Sequence, residues 1–110
     1  MTGPDATDRS AQAAIAARLA DAGFALPGTL IERRMMGCGN PNCACKTDRA
    51  RLHGPYNQWT RKVKAKTVTV NLTDDQVARY GSWFANNKSL HRALSELEEL
   101  SLSIFQRERD

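Results

Sequence analysis

The sequence predicts an α+β fold in which one helix precedes and another follows a small three-stranded antiparallel sheet. Three observations support this prediction. An alanine-rich run extends from Arg9 to Ala22, polar and apolar residues alternate in short segments between Thr29 and Leu72, and leucines recur at helical spacing after Thr73. A chain of 110 residues buries one modest core, so a metal ion or a partner chain would add to its stability.

The N-terminal part of the chain is expected to hold a flexible segment and then a helix. Residues 1–8 are small and polar and are predicted to be flexible. The next segment predicts a helix over 9–23, with Asp8 or Ser10 as its N-cap and Gly23 as the left-handed residue at its end. The apolar stripe of this helix is shallow, so we expect it to pack loosely or against a second chain.

The β domain is predicted over 29–72. Its strands are expected at Thr29–Met36, Tyr56–Val63 and Thr67–Leu72. In the last strand, Val68, Val70 and Leu72 share one face, which predicts that this face is buried. The turn before this strand lacks the glycine or asparagine that a tight hairpin favours, so its type stays open.

The C-terminal segment, 73–107, is predicted to be helical. Thr73 and Gln76 have the spacing of a capping box. Asn86 and Asn87 predict a break, because asparagine competes for backbone hydrogen bonds. Apolar residues then recur at helical spacing at Leu90, Leu94, Leu97 and Ile104. This pattern fits either a helix packed in the core or the seam of a homodimer.

Composition favours a cytoplasmic protein that does not associate with membranes. Hydrophobic residues make up 41% and charged residues 25% of the chain, as in ordinary soluble proteins. No run approaches the roughly 18 apolar residues that span a membrane. The N-terminus lacks the basic start and apolar core of a signal peptide. We therefore expect the thiols to be kept reduced.

The net charge of +4 is concentrated in the middle of the chain. From Lys46 to Lys66, seven basic residues stand against one acid, Asp48, which gives a local charge of +6. Such a block is typical of proteins that bind an anionic partner, most often nucleic acid. A solvated surface without a partner would explain the same residues.

Four candidate metal ligands fall within a segment of 16 residues that follows the first predicted strand. They are Cys38, Cys43, Cys45 and His53. Three thiolates and one imidazole are a standard tetrahedral set for structural Zn²⁺. We therefore predict a zinc-binding loop between the first two strands. The spacing C-x4-C-x-C-x7-H differs from common zinc-finger spacing. A redox role for the thiols, an iron–sulfur cluster and a different fourth zinc ligand stay open. The other histidine, His91, is expected at the surface.

Catalysis is not expected from this set of residues. Four protein ligands leave no position on the metal for water or substrate, which hydrolytic zinc sites require. The sequence also lacks a glycine-rich phosphate loop and a suggestive pair of carboxylates. We therefore do not predict an enzyme.

The hairpin that follows the cysteine loop combines cations, amides and aromatic residues. Two-stranded ribbons can enter the DNA major groove, while Lys and Arg neutralise phosphates. The candidate nucleic-acid contacts are Arg49, Arg51, Gln58, Arg61, Lys62, Lys64 and Lys66. Asn57 is a further side chain that could reach a base edge. For Trp59, core packing and stacking on a base both stay open.

A double motif carries a resemblance to a known family. The string Cys38-Gly39-Asn40-Pro41-Asn42-Cys43-Ala44-Cys45, followed by His53-Gly54-Pro55-Tyr56, resembles small bacterial proteins of unknown function with a CG-x-P-x-C-x-C…HGPY pattern. The resemblance covers about residues 24–106. Members often accompany transposases or recombinases of mobile elements, which implies an accessory role in transposition or recombination. At the hairpin turn, where the family has glycine, this chain has Val63-Lys64-Ala65-Lys66.

Three functional hypotheses follow. The first is a zinc-stabilised DNA-binding protein that regulates or assists a recombinase or transposase and dimerises through the helix after Thr73. The second is a protein–protein interaction module that uses the leucine-rich C-terminal helix, with zinc purely structural. The third is a thiol-based redox or metal-sensing switch.

Overall fold

The computed structural model describes residues 3–109 and confirms the predicted fold class. Its elements, in chain order, are α1 (Ala6–Ala20), β1 (Thr29–Met36), β2 (His53–Val63), β3 (Lys66–Leu72) and α2 (Asp74–Arg109). The three strands form one antiparallel sheet in the order β1-β2-β3. Within the described residues, no helix is both long enough and apolar enough to cross a membrane.

The chain forms two compact units. Pro27–Phe84 is one unit and contains the sheet, the loop between β1 and β2, and the first turns of α2. The described residues of 1–26 and 85–110 form the other unit, which contains α1 and the remainder of α2.

The N-cap of α1 is Asp5, so the prediction of Asp8 or Ser10 was wrong. The Asp5 carboxylate accepts the Asp8 N–H at 2.8 Å, and the Asp8 carboxylate accepts the Asp5 N–H at 2.9 Å. This reciprocal pair satisfies two backbone donors that the first turn leaves free, and it explains why the helix begins at Ala6.

The bounds of α1 therefore differ from the predicted 9–23. Residues 6–8, which were expected to be flexible, are helical, and Met1 and Thr2 lie outside the described residues. The helix ends at Ala20. Gly23 does have a left-handed φ of 75°, but it lies beyond the end of the helix.

Ion pairs link α1 to the C-terminal part of α2. Arg18 donates two hydrogen bonds to Glu96, at 2.9 and 2.5 Å. Near the other end of α1, Arg107 donates to the Asp8 carboxylate at 2.5 Å. Ile15 is the buried apolar side chain of α1. The interior of this unit is therefore thin.

α2 is continuous, so the predicted break near Asn86 was wrong. The Asn86 side chain donates from Nδ2 to the carbonyl of Phe24 at 2.8 Å. Because this amide bonds outside its own helix, it does not compete for the backbone hydrogen bonds of α2. The predicted capping box is confirmed, since Thr73 and Gln76 exchange backbone-to-side-chain bonds of 2.8 and 3.1 Å.

The sheet has one face covered by the first turns of α2. The rings of Trp59 and Phe84 meet edge to face at 5.6 Å, and Trp59 Nε1 donates to the Pro27 carbonyl at 2.7 Å. Trp59 is therefore half-buried and packs against α2. Val70 pairs with Trp59 across the sheet and shares its face, but it keeps 39% of its surface exposed, although this face of β3 was predicted to be buried. Burial of this face is thus incomplete.

Two backbone irregularities shape the sheet. Lys64 and Ala65 connect β2 to β3 and both have positive φ, 50° and 67°, which is the type I′ geometry that suits hairpin twist. A bulge in β1 between Ile31 and Arg34 turns the backbone N–H of Arg33 toward the Asn57 side chain, which accepts it at 3.0 Å.

Candidate metal centre

Strand pairing brings the candidate metal ligands together. His53 begins β2 and pairs with Met36, the last residue of β1. Cys38 follows Met36 by two residues, so the pairing places the histidine beside the start of the cysteine loop. The predicted position of the site, between the ends of the first two strands, is therefore confirmed.

Local turns position the other two cysteines. Cys43 N donates to the Asn40 carbonyl at 3.2 Å, which closes a turn around Pro41. A short 3₁₀ helix, Ala44–Lys46, then begins directly after Cys43 and contains Cys45. A second 3₁₀ helix, Arg49–Arg51, capped by Asp48, leads the chain into β2. These turns follow one another closely, and Cys43 and Cys45 lie in one cluster with Cys38.

The four side chains form a compact cluster. One ligand atom from each of Cys38, Cys43, Cys45 and His53 lies within 4.8 Å of every other. The Sγ atoms of Cys38 and Cys45 are 3.7 Å apart. Sγ of Cys43 lies 3.3 Å from Nε2 of His53.

These distances fit tetrahedral coordination. With metal–sulfur bonds of about 2.3 Å, the edge of a tetrahedron of sulfurs is roughly 3.8 Å, close to the spacing of Cys38 and Cys45. All three cysteines are free thiols. The cluster can therefore hold one metal ion.

The surroundings of the cluster suit a charged metal–thiolate group. Cys45 is buried, while Cys38, Cys43 and His53 are half-buried. The backbone N–H of Cys38 donates to Cys45 Sγ at 3.4 Å. The Lys46 ammonium donates a hydrogen bond to the Cys38 carbonyl. A divalent ion with three thiolates carries one net negative charge, and these donors offset it.

The thiols influence one another's ionisation. A backbone hydrogen bond at Asn40, followed by the thiol of Cys43, lowers the pKa of Cys38 to about 6. For Cys43, a backbone hydrogen bond from Cys45 acts to lower the pKa, but the side chains of Cys45 and Cys38 raise it overall. Cys38 is therefore the more acidic of these two cysteines.

Gly54, next to His53, is required by the backbone. Its φ is 123°, and a Cβ at this position would lie 2.7 Å from the Arg34 carbonyl oxygen. A side chain would therefore push β2 away from β1 at the point where the pairing positions His53. The Gly54–Pro55 peptide bond is cis.

The predicted nucleic-acid contacts fall into separate groups. Arg49 and Arg51 lie on the second 3₁₀ helix, near the cysteines. Lys62, Lys64 and Lys66 lie at the hairpin end, which β2 separates from His53 by its full length of 11 residues, or about 35 Å. The metal cluster is thus at the base of the hairpin, and most of the cations are at its tip.

Two expected contacts face the covered side of the sheet. The Arg61 guanidinium carbon lies 4.3 Å from the centre of the Trp59 ring, whereas Gln58 and Lys62 project from the opposite face because strand residues alternate. Asn57 is buried and donates to Asp74 Oδ1 at 2.8 Å and to the Leu72 carbonyl at 3.2 Å. The idea that Asn57 reaches a base was therefore wrong.

Sequence reasoning missed the residues that support the site. Lys46 was counted only as a surface charge, although its position one residue after Cys45 was a usable signal. Asn57, which links β1, β3 and α2 through its buried side chain, was harder to identify. The sequence shows only an amide at one position of an alternating strand.

Comparison with known proteins gives one match. A family model described as "Domain of unknown function (DUF6788)" matches residues 8–82, a range that contains the four candidate ligands and the whole sheet. No curated protein and no solved structure matches the chain.

Proposed function

The chain belongs to this family of unknown function, DUF6788, and we propose that it is a zinc-stabilised DNA-binding protein that assists or regulates a mobile-element recombinase or transposase. It acts in the cytoplasm and is not an enzyme. The observation that supports this proposal above all others is a compact Cys3His cluster at the base of a basic hairpin.

Zinc is the metal that best suits the donor set. Three soft thiolates and an imidazole in tetrahedral positions are typical of structural Zn²⁺. Cys38, Cys43, Cys45 and His53 would hold it, and it would link the end of β1 to the start of β2. With all four positions taken by the protein, the ion would serve folding rather than hydrolysis.

The charge distribution supports DNA as the partner. Six of the seven basic side chains between Lys46 and Lys66 are exposed, and Arg61 is half-buried. Among residues 3–109, the ion pair that this segment makes joins Arg51 to Asp48 at 3.8 Å, with both side chains largely exposed. Such a pair neutralises little charge. The segment therefore keeps a strong positive field for an anionic polymer.

The association with a recombinase or transposase rests on the resemblance of the CG-x-P-x-C-x-C…HGPY motif to proteins encoded beside mobile elements. The same resemblance favours an accessory role over an independent one.

Fluorescence anisotropy with a mixed-sequence 30-base-pair duplex tests DNA binding. We expect binding at low salt. The logarithm of the association constant should fall as the logarithm of the salt concentration rises, with a slope of roughly −0.9 for each phosphate contact. Reversing Lys62, Lys64 and Lys66 to Glu should weaken binding strongly. A matched reversal of Arg9, Lys88 and Arg92, outside the hairpin, should have a small effect. A zinc-loaded protein with no affinity at low salt contradicts the proposal.

A second candidate function is a protein–protein interaction module built on α2. Leu94, Leu102 and Phe105 keep 46%, 57% and 56% of their surfaces exposed. Leu94 and Phe105 are separated by about three helical turns and lie on the same side of α2. This surface could bind a second copy of the chain, as the predicted homodimer requires, or the helix of a partner.

The mass of the protein in solution tests the homodimer. Wild type should sediment as a dimer, and a Leu94→Glu, Phe105→Glu variant should sediment as a monomer with unchanged zinc content. A wild type that stays monomeric at high micromolar concentration argues against self-association. The hairpin reversal separates the two functions, because it should abolish DNA binding and leave the α2 interaction intact.

A further inference from the structure

The sheet has a second face that α2 does not cover. Because Asn57, Trp59 and Arg61 face α2, the alternate residues of β2 face the other way. These residues of β2 pair with residues of β1 and β3 that lie on the same face, which we call the open face. Across the sheet, Lys62 pairs with Thr67, Thr60 lies between Thr29 and Thr69, and Gln58 lies between Ile31 and Asn71.

The open face is polar and accessible. Thr67, Thr69 and Asn71 of β3 are all exposed, as are Thr29 and Lys62. The Oγ1 atoms of Thr60 and Thr69 are 3.4 Å apart, and Lys62 Nζ donates to Thr67 Oγ1 at 2.8 Å. Short side chains linked in this way give a surface of hydroxyl and amide groups, with the exposed Ile31 on its β1 side.

The charges on this face have one sign. Lys62 lies at one end, and at the other Arg34 donates from Nη1 to Gln58 Oε1 at 3.3 Å. β2 and β3 contain no acidic residue. The single acid of β1, Glu32, lies in the bulge rather than in a register row. A polyanion can therefore approach the face without meeting a carboxylate in the rows.

The dimensions of the face match the major groove of DNA. Three strands spaced about 4.8 Å apart span roughly 10 Å, and the major groove is about 12 Å wide. The major groove of double-stranded RNA is too narrow for side chains to read. A minor groove about 6 Å wide would admit one strand at most.

We propose that the open face of the sheet, and not the hairpin tip alone, enters the major groove of duplex DNA. Gln58 and Asn71 share a row and carry the amides suited to adenine edges, and the threonine methyls suit contact with thymine methyls. Lys62 and Arg34 flank them and meet the phosphates on either side. This inference rests on the proposed DNA-binding function and names its contact surface.

Adding a charge to the middle of the face tests the inference. Thr69→Glu places a carboxylate on the central threonine row and should weaken binding of the 30-base-pair duplex by roughly tenfold or more. Ser82→Glu adds the same charge to an exposed position of α2 and should change binding by less than about twofold. Circular dichroism and zinc content identify any variant that fails to fold.

Neutral substitutions provide a second measurement that does not depend on the added charge. Lys62→Ala should reduce the salt slope by about one phosphate, and Asn71→Ala should weaken binding while leaving the slope unchanged. Methylation of guanine N7 in the duplex blocks the major groove and should weaken wild-type binding, whereas a minor-groove drug should compete poorly.

The outcomes separate this inference from the proposed function. If wild type binds duplex DNA but Thr69→Glu and N7 methylation have no effect, the sheet face is not the contact and the proposed function stands. Preference for single-stranded or double-stranded RNA over duplex DNA also overturns the inference. If wild type binds no nucleic acid, the proposed function itself fails.

Discussion

Sγ of Cys43 lies 3.3 Å from Nε2 of His53, although ten residues separate the two in sequence. The contact depends on the pairing of His53 with Met36, since this pairing places the histidine ring beside the cysteine loop. The candidate metal centre and the sheet are therefore structurally coupled, so a change in the geometry of either should alter the other.

Removing the histidine should abolish tight metal binding. Loss of a supporting residue outside the coordination shell typically weakens metal affinity 10- to 100-fold, so His53→Asn, which removes a ligand, should cost more than about 100-fold. Elemental analysis after dialysis against a weak chelator measures the effect. His91→Asn, which changes the exposed histidine of α2, is the control and should keep its metal. Equal metal content in both variants contradicts the assignment.

A methyl group at Gly54 should disturb the site indirectly. In Gly54→Ala, alanine would have to adopt a φ of 123°, and its Cβ would collide with the Arg34 carbonyl oxygen. The substitution should therefore shift His53 and lower both thermal stability and metal retention. Gly39→Ala is the matched control, because a Cβ there meets nothing within 4 Å. If the two variants melt at the same temperature with the same metal content, the backbone argument is wrong.

The buried amide of Asn57 should be a major source of stability. It bonds to the Arg33 N–H, the Leu72 carbonyl and Asp74, so Asn57→Ala leaves buried polar groups unpaired. We expect a loss of about 2–4 kcal/mol in the free energy of unfolding, measured by urea denaturation. Asn71→Ala, at an exposed position, should change it by less than about 0.5 kcal/mol.

Glycine in the hairpin turn should stabilise the protein. Ala65 has a φ of 67°, and a left-handed conformation costs a residue with a side chain roughly 1–2 kcal/mol. Glycine removes this cost but loses more backbone entropy on folding than alanine does. Ala65→Gly should therefore raise the free energy of unfolding by about 0.5–1 kcal/mol. The opposite sign is expected for Ala85→Gly, inside α2. A lower melting temperature for Ala65→Gly would show that the turn carries no strain.

The ion pair between Asp8 and Arg107 should make stability depend on pH. A hydrogen bond from Arg107, followed by one from the Asp5 backbone, lowers the pKa of Asp8 below its usual 3.8. The carboxylate therefore stabilises the folded state above that value, and its contribution is lost as the pH falls through the lower, folded-state pKa.

Thermal melts of Asp8→Asn from pH 7 to pH 2.5 measure this effect. The variant should melt below wild type at pH 7, and the gap should narrow below about pH 4 as the wild-type carboxylate is protonated. Asp21→Asn, the control at the other end of α1, should show no such pattern. A gap that is constant with pH would mean that neither the Arg107 bond nor the capping box depends on the charge of the Asp8 carboxylate.

The sequence by itself determined the chemistry and local structure of this protein. Thiol and imidazole donors at close spacing identify a candidate metal site, alternating residues identify the strands, and the Thr73–Gln76 pair identifies the start of α2, because each signal lies within a few residues. Even so, local chemistry misplaced the N-cap of α1, since Asp5 and Asp8 are both competent caps and their reciprocal bonding chose between them.

Only the tertiary structure decided which face of the sheet is covered and what each basic residue can reach. Alternation along β2 places Arg61 and Lys62 on opposite faces of the sheet, but it does not say which of them faces α2. The packing of Trp59 on Phe84 shows that the face of Arg61 is the covered one. Packing likewise buried Asn57 and kept α2 whole at Asn86. These outcomes depend on contacts between residues distant in sequence, and such contacts leave no local pattern in the chain.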